Sequence, residues 1–104
     1  MDNNLIYNRI VKTIHDKDPN AEAYLFGSRA RGDFRQDSDW DILILVDVDK
    51  ITNDIEDKFR DELYDIELDS GNVISTFIYT MDYWNNTLIY SPLHKNVSKE
   101  GIRL

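Results

Sequence analysis

The chain contains no cysteine. That excludes a disulfide framework and any zinc site built on thiolates. Proline occurs twice and glycine four times in 104 residues, which is too sparse for a collagen-like or low-complexity chain. No apolar run reaches the length that crosses a bilayer, and the opening MDNNLIYNR lacks the hydrophobic stretch of a signal peptide. A soluble, cytoplasmic protein with no membrane partner is therefore expected. Bases are also in deficit, twelve against twenty acids, for a net charge of −8. Much of this is local, because Asp47 to Asp69 holds ten acids and three bases. Such a surface lacks the basic footprint that nucleic acid demands, so no extended nucleic-acid surface is expected. What is present is 41% apolar residues, enough for the small core of one domain over 1–104, with no internal repeat or linker.

The most informative stretch is Leu25 to Val46, LFGSRARGDFRQDSDWDILILV. Gly27 lets the backbone turn sharply and approach a ligand closely. Ser28 follows, with a hydroxyl and an N–H suited to phosphate oxygens, and a helix starting there would add partial positive charge. Asp39 and Asp41 lie two apart at the mouth of a strand, and residues i and i+2 of a strand share a face. Two carboxylates held side by side are oxygen ligands for a hard cation such as Mg²⁺, which takes one or two carboxylates plus substrate phosphates. Ile42 to Val46 is unbroken apolar sequence, as expected of a strand covered on both faces. Asp47 and Asp49 lie past that run and read as solvated. Arg29, Arg31 and Arg35 either grip phosphate or pair at the surface with Asp33 and Asp37.

Elsewhere the pattern alternates helix and strand. Leu5, Ile6, Ile10 and Ile14 predict an amphipathic helix over 3–17, ended by Asp18-Pro19-Asn20. A short strand over Ala23–Phe26 feeds the Gly-Ser turn, and a short helix runs from Ser28 to Ala30 or Arg31. The central strand spans Asp39–Val46. Thr52 caps a helix whose buried stripe is Ile55, Phe59, Leu63 and Ile66, and Gly71 stops it. Its acids form a solvated face or a partner-docking surface. Val73–Tyr79 reads as a strand. A helix from Met81 to about Tyr90, with Thr80 as its cap, and another from Ser91-Pro92 to Lys99, ended by Gly101, complete the chain. His15 and His94 read as ordinary packing or surface residues, and Tyr79, Tyr83, Trp84 and Tyr90 as core packing rather than an adenine platform. The fold class is α/β: a small sheet of three to four strands with helices mainly on one face.

Gly27-Ser28, the run Arg29-Ala30-Arg31-Gly32, and Asp39-Trp40-Asp41 opening an apolar strand together resemble the signature of the DNA polymerase β-like nucleotidyltransferases. With the chain's length, they are similar to the minimal nucleotidyltransferase (MNT) domains. The resemblance implies a nucleotidyltransferase fold with a mixed sheet. It implies one or two Mg²⁺ ions held by Asp39 and Asp41 as metal-binding and catalytic residues. ATP would be the substrate, bound by Gly27, Ser28, Arg29, Arg31 and Ser38. It further implies transfer of AMP to a tyrosine hydroxyl of a helical HEPN-type partner, with this chain as the antitoxin of a toxin–antitoxin pair. A catalytically degenerate antitoxin that neutralises its partner by docking is the alternative. A small-molecule, aminoglycoside-type transferase is a second one. Self-association is left open. The chain departs from the family at one point. A third acid is usual on the strand over 73–79, and here no carboxylate lies between Asp69 and Asp82.

Overall fold

The computed structural model describes all residues, 1–104. Asp2 accepts the amide of Leu5 at 2.8 Å and opens α1 (Asn3–Lys17), which buries Ile6, Ile10 and Ile14 along one stripe. β1 (Glu22–Phe26) and the single-turn α2 (Ser28–Arg31) follow, then β2 (Trp40–Val46). Thr52 accepts the amide of Ile55 at 3.3 Å to start α3 (Asn53–Ser70). Gly71 closes α3 at φ +73°, a conformation that a side chain would strain. β3 (Ile74–Thr80) and α4 (Pro92–Glu100) come next, the latter capped by the Ser91 hydroxyl on the amide of His94.

The four-stranded sheet has the order β3-β2-β1-β4. β1 and β2 are antiparallel, whereas β2 and β3 are parallel and joined by the crossover through α3. β4 (Ile102–Arg103) has no counterpart in the sequence reading. Two residues carry no periodicity, and this strand exists only because β1 offers it a free edge, with Leu25 opposite Ile102. Gly101 makes the approach possible, since a Cβ there would stand 2.5 Å from the carbonyl oxygen of Val97.

The expected helix from Met81 to Tyr90 is shorter than its pattern. Tyr83–Thr87 winds as a π-helix, closed by the Leu88 amide on the Tyr83 carbonyl at 3.0 Å, and the chain then turns. Tyr90 is consequently 92% exposed and takes no part in packing. Tyr79, Tyr83, Trp84 and His94 do stack, with Trp84 and His94 centroids 4.6 Å apart.

Alternation along β2 divides the interior. Trp40, Ile42, Ile44 and Val46 meet α1 and α3, the two long helices, in the larger cluster. Leu43 and Leu45 point to the opposite face, where Phe26, Trp84 and Val97 join them. The apolar run is thus covered on both faces, heavily by the long helices and only in part by the π-helix and α4. Phe59 is fully buried at the centre of the larger cluster. Phe59→Ala is expected to cost about 3–5 kcal/mol, read as a lower denaturation midpoint with unchanged slope.

Candidate functional site

The site grows from one contact. Gly27 has φ +77° and ψ −160°, and a Cβ built on it would lie 2.1 Å from Oδ2 of Asp41. The antiparallel register sets this closeness by pairing Phe26 with Asp41. Glycine is required twice over, for the dihedral angle and for the space. On the other side of Asp41 the parallel register places Ser75. Asp41 is half-buried on the less covered sheet face, while Asp39, just before the strand, is exposed. Burial pushes the Asp41 carboxyl above its usual range, and the negative charge of Asp39 adds to this. Arg31 acts in the opposite direction, and the charge of Glu100 again raises it. Asp39, Asp41, Arg31 and Glu100 therefore share one electrostatic neighbourhood.

Two of the sequence-derived candidates do other work. Arg29 is only 6% exposed and does not face the carboxylates. Its Nε donates to the Ser38 carbonyl at 3.1 Å and one terminal nitrogen to the Gln36 carbonyl at 3.0 Å. Its Cζ lies 4.4 Å from the Trp40 ring centre and 4.7 Å from that of Phe34. Arg29 thus anchors the loop that delivers Asp39, and its guanidinium is engaged there. Ser38 is tied into the same loop, with its hydroxyl accepting the Arg35 amide at 2.8 Å. Arg35 itself is exposed.

Arg31 remains at the mouth, bonded to Glu100 at 2.9 Å and to Asp33 at 3.2 Å. Ser28 opens α2 beside Gly27. A helix of one turn has little macrodipole, so the positive charge at this mouth comes from local N–H groups and Arg31 more than from a helix end. Glu100 was invisible to sequence reasoning. Its only signal is an acid in the last turn of a helix, where the dipole disfavours negative charge.

No group of three or more His, Cys, Asp or Glu side chains in the chain is gathered closely enough to hold a metal. The position beside Asp41 on β3 is Ser75. The two neighbouring aspartates still fit a single hard cation completed by phosphates, because the charge of Asp39 adds to the cost of ionising Asp41 and a cation would relieve it. The aromatic stack around Tyr79 is four residues further along β3, roughly 13 Å from this end of the strand, and its rings pack on one another. The His15 ring lies within hydrogen-bond distance of the Leu104 carbonyl, at 3.2 Å. No helix is long and apolar enough to cross a membrane.

A Gly-Ser turn against an Asp-x-Asp strand in a small mixed sheet is the arrangement that the resemblance to nucleotidyltransferases implied. The sequence model of the nucleotidyltransferase domain matches residues 7–104, and the chain belongs to that family. It is a nucleotidyltransferase. A Methanocaldococcus jannaschii protein named "Putative protein adenylyltransferase" is 39% identical over 77 residues, 74% of this chain and 70% of that protein. A crystal structure described as a toxin-antitoxin with AMP-PNP is similar in fold, with a TM-score of 0.65 at 22% identity over 92% of this chain and 69% of that one. The toxin-antitoxin MntA-HepT has a TM-score of 0.60 at 20% identity, covering 96% of this chain and 69% of its own.

Two expectations follow from the geometry. A carboxyl raised in the folded state holds its proton more firmly there than in the unfolded chain, so its ionisation opposes folding and the penalty fades as pH falls through the raised value. Asp41→Asn should therefore melt at or above the wild-type temperature at neutral pH, with the gap closing on acidification. Calorimetric melts across pH would read this. Arg29→Ala should lose about 2–4 kcal/mol, because it leaves two loop carbonyls unpaired and empties the space between Phe34 and Trp40.

Proposed function

We propose that the protein transfers AMP from ATP to a tyrosine hydroxyl of a HEPN-type helical partner, acting as the antitoxin of a toxin–antitoxin pair. The observation that carries the reading is the Asp41 carboxylate seated against Gly27 with Asp39 beside it, on a sheet face left partly open. The adenylyltransferase name of the archaeal relative and the toxin–antitoxin neighbours support the acceptor class.

In this reading Asp39 and Asp41 hold Mg²⁺. Bound there, Mg²⁺ supplies neutralising charge for the triphosphate. Gly27 leaves room for the backbone to approach the phosphates. Ser28 and the neighbouring N–H groups bind their oxygens, and Arg31 adds a guanidinium at the same mouth. The acceptor oxygen attacks the α-phosphorus, the bond to the bridging β-oxygen breaks, pyrophosphate leaves with that electron pair, and the hydroxyl proton passes to solvent. Positioning and charge neutralisation carry most of such a reaction.

A second reading, docking without turnover, is favoured by one observation: Ser75, not a carboxylate, stands beside Asp41. The double variant Asp39→Asn/Asp41→Asn separates the two. Calorimetric titration of ATP in Mg²⁺ should show affinity lowered by on the order of 100-fold in the variant. Protection from the partner should disappear while docking is retained. Protection that survives the double change would establish the docking reading instead.

A further inference from the structure

We propose that the outer edge of β3 is the acceptor's entrance, and that it receives by strand addition an extended, basic segment of a partner protein. That segment carries its hydroxyl side chain between flanking lysines or arginines. The inference rests on the nucleotidyl-transfer reading and specifies how its acceptor arrives.

The direction follows from in-line displacement. Gly27, Ser28 and Arg31 all lie on the β1–α2 side of Asp41. Phosphates gathered there place the departing pyrophosphate on that side. Attacking and leaving oxygens stand roughly opposite one another, so the acceptor comes in across β3, over Ser75. β3 is the strand on that side, and it is an edge of the sheet along its whole length.

The edge is built for a temporary neighbour. Glu67 accepts the amide of Ile74 at 2.7 Å and Arg60 donates to the carbonyl of Thr76 at 3.1 Å. Both side chains come from α3 and stand where an added strand would place its own backbone groups. Caps of this kind suppress indiscriminate edge pairing in the free protein. They yield to a segment that offers better-aligned hydrogen bonds.

The two faces beside this edge differ in chemistry. Between α3 and β3 lies a groove of about 630 Å³ whose walls include Asp57, Asp61 and Glu67 against the single base Arg60, with Tyr64 beside them. α3 as a whole carries eight carboxylates against Lys58 and Arg60. The opposite face presents Ser75 and the 36% exposed Phe77, whose ring lies 5.7 Å from that of Phe26 beside Asp41. Side chains of an added strand alternate between the two faces. Basic residues would enter the acidic groove, and the residue between them would lie over Phe77 and Ser75. From a strand beside β3, Asp41 is two strand spacings away, roughly 10 Å. A long hydroxyl side chain such as tyrosine spans more of that distance than serine, and Phe77 offers its ring an aromatic surface.

The test titrates the full chain with the peptide Ala-Lys-Ala-Lys-Tyr-Lys-Ala-Lys-Ala, followed by amide NMR shifts, beside the same peptide with glutamate for every lysine. The expected result is shifts confined to β3 and the facing turns of α3 with the lysine peptide, and none with the glutamate peptide. Asp57→Lys/Asp61→Lys should bind the lysine peptide about tenfold more weakly while keeping wild-type ATP affinity. Serine in place of the central tyrosine should leave docking intact but lower AMP incorporation, read by mass. Shifts centred on α4 or on the start of α1, equal binding of the glutamate peptide, or undiminished binding by the lysine variant would each overturn the proposal. ATP titration of the same samples reports on the transfer reading separately. Docking at β3 in a chain that binds no ATP would uphold the entrance and remove the chemistry assigned to it.

Discussion

The close approach of Gly27 to the Asp41 carboxylate is the constraint on which the site depends. It needs a residue with no Cβ at a positive φ, immediately after β1. It also needs the register that sets Phe26 opposite Asp41. A shift of one residue in that pairing would send Asp41 into the α1–α3 core and turn Leu43 and Leu45 with it. The apolar run that follows guards against such a shift, because Ile42, Ile44 and Val46 have a large cluster to fill on one side and Leu43 and Leu45 a smaller one on the other. Core packing and site geometry are therefore set by the same pairing.

The electrostatics around Asp41 are weighted towards negative charge. Two aspartates and Glu100 share a neighbourhood with one facing guanidinium, Arg31, and the half-buried member of the pair is pushed towards its protonated form. The surrounding structure bears this cost. Arg29, stacked between Phe34 and Trp40 and bonded to two loop carbonyls, holds in place the segment that ends at Asp39. Two arginines in one short motif thus divide the labour: one is buried and structural, the other lies at the mouth. Their spacing of two residues on a single helical turn is what sends them in different directions.

Most of the fold was legible in the residues. The stripe Ile6, Ile10, Ile14, the Thr52 cap, the Gly71 stop and the run Ile42–Val46 each carry a local cause, and the helices and strands formed where those causes lie. The failures have local causes as well. Thr80 does accept the amide of Tyr83 at 3.1 Å, but the turn that follows closes to the fifth residue rather than the fourth, a choice no periodicity shows. β4 is too short to have a pattern and is defined by its partner. In the candidate site, Gly27, Ser28, Asp39 and Asp41 could be singled out because a close backbone approach, and the chemistry expected of a phosphate or cation ligand, restrict residue type. Arg29 could not be told from Arg31, since both are arginines of one motif and only burial separates them.

What the amino-acid order determined by itself is the longer helices and strands, the acidic character of α3, and the residue types of the Gly-Ser and Asp-x-Asp motifs, all of which depend on neighbours within a few residues. Tertiary structure alone decided which strand neighbours Asp41, that a serine occupies the position beside it, that Glu100 reaches Arg31 from the far end of the chain, and that β3 lies at an edge. Those outcomes depend on strand order and register, and the free energy that selects them is the burial of both faces of β2 at once, a sum over residues distant in sequence that no local pattern contains.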